Sequence, residues 1–159
     1  MAVPVFKNET DLVGIEAKFT NSFIHEMSRS KIARIVSKSE APVYVQGIIK
    51  SVEFEGGGLI DASKTEENPA NNELPDNTVL TTEYRAIVNS EVRLIRAADQ
   101  RVLWAGDFKN ERLYISPQVK LAGANTVNPL YNHSARVEVV ELLAEDMMAE
   151  AHDRMVENF

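Results

Sequence analysis

Residues 82–114 read TEYRAIVNSEVRLIRAADQRVLWAGDFKNERLY and predict two long β-strands. In the first half, small and apolar residues at every second position alternate with mostly polar ones. This period of two directs one set to a core and the other to solvent. The core-facing set is Tyr84, Ala86, Val88, Ser90, Val92 and Leu94. The break at Ala98, Asp99 and Gln100 predicts the turn of an antiparallel hairpin with one solvent-exposed face.

Amphipathic helices are predicted on both sides of this hairpin. The first spans residues 12–29, starts from an N-cap at Thr10 or Asp11, and has the apolar stripe Leu12, Ile15, Phe19, Phe23 and Met27. The last follows a cap at Asn132 or Ser134 and buries Val137, Val140, Leu143, Ala144, Met147, Ala151 and Met155. Further strands are predicted at residues 3–6, 33–36 and 43–55. The expected fold is α+β, a two-layer sandwich with a mixed or antiparallel sheet of about four to five strands covered on one face by two helices.

The chain of 159 residues is expected to form a single domain, residues 1–159. Residues 56–78 are rich in glycine, asparagine and proline, which predicts a mobile surface loop joining two strands. Residues 115–132 are predicted to form a second loop before the last helix.

The composition excludes several classes of protein. A formal net charge of −7 argues against nucleic-acid binding, which normally needs a basic surface. The absence of cysteine excludes disulfides, thiolate metal sites and cysteine nucleophiles. No apolar run approaches the ~20 residues that a membrane-spanning helix requires.

Motifs for catalysis and metal binding are also missing. His25, His133 and His152 lack the four-residue spacing that places two imidazoles on one helix face. No serine lies in a Gly-x-Ser-x-Gly elbow, and Gly56-Gly57-Gly58 lacks the Lys-Ser/Thr of a P-loop. The acidic side of the last helix is read as solvated. We therefore predict a protein that is not an enzyme and has no cofactor.

Two features of the hairpin allow more than one interpretation. Trp104 is read either as a core anchor beneath a helix or as an interface anchor. The hairpin is also rich in cations: Arg85, Arg93, Arg96, Arg101, Lys109 and Arg112. These cations either pair across the strands with Glu83, Glu91 and Glu111 or form a face that contacts phosphate groups.

Several segments occur in an order that resembles the lipopolysaccharide-assembly outer-membrane lipoproteins, LptE. They are residues 3–10 (VPVFKNET), the strand 43–54 with Gly47, residues 82–85 (TEYR), residues 101–104 (RVLW) and the amphipathic last helix ending at Phe159. Residues 116–118 (SPQ), followed by Leu121 and Ala122, are similar to the loop that precedes the last helix in that family.

This resemblance implies a non-enzymatic assembly factor that plugs the lumen of the β-barrel translocon LptD and binds lipopolysaccharide. It implies lipid anchoring at the periplasmic face of the outer membrane. The family's lipidated cysteine and signal peptide are missing, so we expect the chain to begin just downstream of them.

The candidate contacts follow from this resemblance and from the basic hairpin. Candidate lipopolysaccharide or phosphate contacts are Lys109, Arg112 and Lys120. Candidate barrel-facing residues are Ala98, Asp99, Gln100, Pro117 and Gln118, on the hypothesis that loops 56–78, 98–100 and 115–126 enter the barrel.

Two other functions fit the sequence. One is a self-associating periplasmic lipoprotein module of a secretion or curli-type export system, since the opening strand and helix suit that class too. The other is an enzyme that uses His133 and the acidic last helix.

Overall fold

Eight strands and two helices form in the described part of a computed structural model, which comprises residues 1–57, 59–61, 79–81, 83–115, 118–121, 124–127 and 129–158. The helices are α1 (Ile15–Ser30) and α2 (Pro129–Val156). The strands are β1 (Lys7–Asn8), β2 (Val43–Gly56), β3 (Leu59–Asp61), β4 (Val79–Thr81), β5 (Glu83–Arg96), β6 (Val102–Ile115), β7 (Gln118–Leu121) and β8 (Ala124–Val127).

The main sheet has four strands in the order β1-β2-β5-β6. β1 runs parallel to β2, with Lys7 opposite Ile48. β5 and β6 are adjacent and joined by a five-residue connection, so they run antiparallel. Together with the two helices, these strands give the mixed α+β fold that the sequence predicts.

The chain divides into two compact units. Unit 1 comprises Met1–Val52, Ile87–Glu111 and Val140–Phe159, and unit 2 comprises Glu53–Ala86 and Arg112–Val139. Strands β2, β5 and β6 and helix α2 each contribute residues to both units. The expectation of a single domain, residues 1–159, stays a prediction.

The core of unit 1 lies between its helices and one face of its strands. The stripe of α1 is buried at Ile15, Phe19, Phe23 and Met27, and that of α2 is buried from Val140 to Met155. Central strand β5 is buried on both faces, because Ile87, Glu91 and Ile95 are covered as well as the alternate residues. Val137, predicted on the apolar face of α2, is instead 44% exposed.

Gly47 is required by the packing of Phe6. A Cβ atom at residue 47 would lie 2.2 Å from Cδ2 and Cε2 of the Phe6 ring. Phe6 is buried, packs 6.1 Å from the Phe23 ring, and donates its backbone N–H to Thr20 Oγ1 at 2.9 Å. The absence of a side chain at residue 47 therefore makes room for this ring.

The start of α1 differs from the prediction. The N-cap is Gly14, in the left-handed region at φ 93°, rather than Thr10 or Asp11. Thr10 instead belongs to a turn in which its N–H and hydroxyl both donate to Asn8 Oδ1. The Glu16 carboxylate accepts the N–H of Gly14 at 3.1 Å, which satisfies a free donor at the helix start.

Three predicted segments also take other conformations. Residues 3–6 form no strand, because pairing with β2 is limited to β1 and a bridge between Ala2 and Tyr44. Residues 33–36 are not a strand; Val36 donates one backbone hydrogen bond to Met1, at 3.0 Å. The predicted loop 115–132 contains the β7–β8 hairpin, and α2 begins at Pro129, before the predicted caps.

The predicted loop 56–78 is partly ordered into strands. Gly56 belongs to β2, and β3 pairs antiparallel with β4, with Ile60 opposite Leu80. Residues 58 and 62–78, on which the prediction of mobility falls, lie outside the described residues.

Candidate functional site

The β5–β6 turn, residues 97–101, is exposed at its tip and held by side-chain hydrogen bonds. Gln100 takes a left-handed conformation at φ 57°, and its Nε2 donates to the carbonyl of Ala97 at 2.9 Å. The hydroxyl of Tyr44 donates to Gln100 Oε1 at 2.6 Å. This amide therefore ties the turn both to itself and to β2.

Asp99 secures the other side of the turn. Its Oδ1 accepts the N–H of Arg101 at 3.2 Å, and its Oδ2 lies 3.3 Å from Arg96 Nη1. Ala98, Asp99 and Gln100 are all exposed. The predicted barrel-facing residues of this turn thus form a braced, solvent-accessible tip.

A charge network covers the exposed face of the sheet in unit 1. Lys50 Nζ lies 2.9 Å from Glu91 Oε2 and 2.7 Å from Asp107 Oδ1, and Arg93 Nε donates to the other Glu91 oxygen. The Glu91 side chain is only 10% exposed. Arg93, and then Lys50, donate to it and lower its pKa, while Asp107 and Glu91 raise the pKa of Lys50.

This network distinguishes ion pairing from phosphate contact for one cation of the hairpin, Arg93. Arg93 pairs with Glu91, but both residues lie on β5, so this is a pair within one strand and not the predicted cross-strand pair. Arg93 and Lys50 are therefore neutralised by carboxylates rather than available to phosphate. For Glu83 and Glu111, cross-strand pairing stays a prediction.

Sequence reasoning missed Lys50 and Asp107 as members of this network. Each is a charged residue at a position of its strand that the sequence marks as exposed. Only the strand order β2-β5-β6 places Lys50 and Asp107 on either side of Glu91. A shallow depression of about 430 Å³ lies beside the network, lined by Lys50, Ser51, Asn89, Ser90, Asp107, Phe108 and Lys109. Within it, Asn89 Nδ2 donates to Ser51 Oγ at 2.8 Å.

The structure does not bring the predicted lipid contacts into one cluster within unit 1. Lys109 is exposed on β6 in unit 1, and Arg112 is exposed on the same strand in unit 2. Lys120 lies in β7, opposite Asn125 of β8. Their role as lipopolysaccharide contacts stays a prediction.

The predicted barrel-facing residues lie at opposite ends of β6. The Ala98–Gln100 turn precedes the first residue of β6, whereas Gln118 follows its last residue, Ile115. Gln118 pairs with Val127 in the β7–β8 hairpin, and Pro117 lies outside the described residues.

Unit 2 contains an aromatic cluster around Tyr114. Its ring stacks on that of Tyr84 at 5.5 Å and meets that of Phe54 edge-on at 6.1 Å. Arg136 of α2 lies 4.8 Å from the centroid of the Phe54 ring and donates Nε–H to the Tyr114 hydroxyl at 3.3 Å. The cluster fixes three strands and the first turns of α2 in this unit. Only Tyr84 had been assigned to a core face from the sequence.

The three histidines lie in different environments. His25 is largely exposed, with Nδ1 3.6 Å from Glu26, and His133 is exposed. His152 is buried, with Nδ1 2.9 Å from Asp153 Oδ1. Among the described residues, no group of three histidine, aspartate or glutamate side chains is arranged to hold a metal ion.

Unit 1 has two further depressions. A polar groove of about 430 Å³ runs between the helices, where Lys18 pairs with Glu141. An apolar cavity of about 410 Å³ is lined by Met1, Met27, Ile32, Ala33, Val43, Leu94, Leu103, Met155 and Val156. Both helices and three strands thus contribute to one apolar layer. Neither helix, over its described residues, has an uncharged stretch long and apolar enough to cross a membrane.

Comparison with solved structures finds the same fold at low sequence identity. CT253 of Chlamydia trachomatis superposes with a TM-score of 0.55 at 10% identity, covering 97% of this chain and 93% of CT253. A candidate lipoprotein of Caulobacter crescentus gives 0.54 at 8% identity, covering 92% and 84%. The PelC dodecamer of Paraburkholderia phytofirmans gives 0.51 at 12% identity, covering 94% and 81%.

Comparison of sequences identifies the family of this chain. No curated protein matches it with significant similarity. The model of the family LptE, described as lipopolysaccharide-assembly, matches residues 1–159, the whole of the sequence. This chain therefore belongs to the LptE family of lipopolysaccharide-assembly proteins.

Proposed function

We propose that this protein is a non-enzymatic lipopolysaccharide-assembly factor that plugs the β-barrel LptD and helps it assemble. We further propose that it acts as a lipid-anchored protein at the periplasmic face of the outer membrane. The observation that carries the proposal is the match of the LptE family over residues 1–159. We also propose that these residues act as one domain.

The braced β5–β6 turn supports a role in inserting into a barrel. A tip that is already held by Gln100 and Asp99 loses little conformational entropy when it is confined. Ala98, Asp99 and Gln100 are therefore proposed barrel contacts. Pro117 and Gln118 remain proposed contacts of the segment beyond the other end of β6.

The first test is a pull-down of the full-length, membrane-extracted protein. Recovery of a large β-barrel at equal stoichiometry is the expected result. Recovery of the protein alone would contradict the plug, and recovery as a homo-oligomeric ring would instead favour the self-associating export module.

A photo-crosslinking residue then identifies the inserted end. It is placed at Ala98 or at Gln118, with exposed Glu145 of α2 as the matched control position. We expect a crosslink to the barrel from Ala98 and none from Glu145. Crosslinks from Gln118 alone would assign the lumen to the other end of β6.

Direct lipid binding is tested with the proposed cation contacts. The triple variant Lys109→Ala, Arg112→Ala and Lys120→Ala is expected to weaken binding of purified lipopolysaccharide, because phosphate contacts are charge-assisted. The control removes the same charge at Lys31, Arg34 and Lys38. Equal losses in both variants would indicate a non-specific charge effect and contradict the proposed contacts.

A further inference from the structure

Among the described strands, none pairs with the outer edge of β6. β6 is last in the sheet order, so no described strand pairs with its side away from β5. It has 14 residues, long enough for an extended ladder. The opposite edge is partly covered, because Ala2 and Glu9 donate backbone hydrogen bonds to Val43 and Ile49 of β2.

The exposed side chains at the centre of this edge carry opposite charges two residues apart. Ala105, Asp107, Lys109 and Glu111 are all exposed and share one face of β6. Charges on an edge strand normally oppose pairing between copies, because like charges meet across the new ladder. Because Asp107 and Lys109 have opposite charges, the register of the two strands decides whether like or opposite charges meet.

We propose that two copies of this chain pair antiparallel along β6, with Phe108 at the two-fold axis, and so continue the sheet from one copy into the other. In this register each Asp107 lies directly opposite Lys109 of the second copy, which gives two attractive pairs. Asp107 already accepts from Lys50 at 2.7 Å. A carboxylate accepts several hydrogen bonds, so Asp107 can accept from Lys50 of its own copy and from Lys109 of the second copy.

Neighbouring registers are less favourable. Centring the axis on Asp107 or on Lys109 places that residue opposite itself, a contact between like charges. Centring it on Asn110 pairs Lys109 with Glu111 but places Asp107 opposite Leu113 and shortens the ladder. The charge pattern therefore selects the register centred on Phe108.

Charge reversal tests the pairing in solution. The 159-residue protein is expected to sediment as a concentration-dependent dimer. Lys109→Asp turns both attractive pairs into aspartate pairs and should raise the dimer Kd about tenfold or more. The double variant Asp107→Lys and Lys109→Asp restores opposite charges and should restore the dimer.

Lys31→Asp is the control, because it changes the net charge by the same amount at an exposed residue of unit 1 outside β6. A wild-type protein that stays monomeric, or a Lys109→Asp variant that dimerises like the wild type, would overturn the proposal. So would a Lys31→Asp variant that dissociates as readily as Lys109→Asp.

A disulfide test reports the register directly, since the chain has no cysteine. With Phe108 at the axis, residue 105 lies opposite residue 111 of the second copy, at a Cα separation that a disulfide can span. Mixing Ala105→Cys with Glu111→Cys should give a disulfide-linked heterodimer on oxidation, and neither variant alone should crosslink. Failure of the mixture to crosslink would overturn this register. The sample contains no barrel, so these results do not depend on the proposed barrel partner.

Discussion

Replacing Gly47 with alanine should create a steric conflict confined to one contact. The new Cβ would lie 2.2 Å from two atoms of the Phe6 ring and 2.4 Å from Cγ. Phe6 is 3% exposed and packs on Phe23, so its ring cannot move without losing contacts. Overpacking of a core costs about 1–3 kcal/mol, and partial exposure of a phenylalanine costs a comparable amount.

We expect Gly47→Ala to lower the free energy of unfolding by about 2–3 kcal/mol. For a protein of this size that corresponds to a decrease in Tm of about 5–10 °C. Urea and thermal unfolding followed by circular dichroism measure both quantities. The conflict should disappear when the ring is removed.

Phe6→Ala therefore supplies the second arm of a double-mutant cycle. In that background Gly47→Ala should be neutral or slightly stabilising, because alanine reduces the backbone freedom of the unfolded strand. If Gly47→Ala costs the same in both backgrounds, the Phe6 ring is not the reason for glycine at this position. Phe6→Leu is the alternative second arm if Phe6→Ala is too unstable to measure.

Two other predictions concern polar groups of unit 1. Ser90 Oγ is buried and has no hydrogen-bond partner among the described residues, so Ser90→Ala should leave stability unchanged or raise it by up to about 1–2 kcal/mol. Ser51→Ala deletes the acceptor of the Asn89 side-chain amide and should lower Tm; a lower Tm for Ser90→Ala than for Ser51→Ala would contradict this assignment. Glu91→Gln should destabilise the fold by about 1–3 kcal/mol near neutral pH, compared with exposed Glu53→Gln in the same urea titrations. The folded-state pKa of Glu91 lies below its ordinary value of 4.5, mainly because Arg93 donates to it, so the unfolded chain binds its proton first as the pH falls. The stabilisation is therefore fully present well above pH 4.5 and is lost as the pH falls from there through the lower folded-state pKa. The difference between wild type and Glu91→Gln should shrink on acidification, and a constant difference would refute the linkage.

The long hairpin was predictable because local and tertiary preferences agree there. Alternation of apolar and polar residues continues through β5, and Ala98, Asp99 and Gln100 interrupt it at the observed turn. The stripe of α1 from Ile15 to Met27 was equally clear. In α1 this periodicity determines burial, whereas in β5 the opposite face is covered as well, at Ile87, Glu91 and Ile95.

Predictions from local sequence were wrong where the residue forms a different interaction in the fold. Thr10 has the side chain of an N-cap, but it bonds to Asn8, and Gly14 begins the helix instead. Residues 33–36 have the composition of a strand, but the described part of the sheet offers them no partner strand. Strands β7 and β8 are four residues each, too short for alternation to identify.

The charged face of the sheet could be predicted only in part. The sequence named Arg93 and Glu91 as members of ion pairs, but it assigned those pairs across the strands, whereas the two residues pair within β5. Lys50 and Asp107 are separated from them by long stretches of chain and become neighbours only through the strand order. Contacts between residues on different strands can be assigned only when the order of the strands in the sheet is known.

The internal neutralisation of this face has a consequence for association kinetics. Lys50 and Arg93 are each matched by a carboxylate at contact distance, so their fields largely cancel beyond the ~8 Å screening length of physiological salt. Lys50 and Arg93 therefore contribute little long-range attraction to an anionic molecule that approaches this side of the protein. The association rate of such a molecule should gain little from them when the ionic strength is reduced.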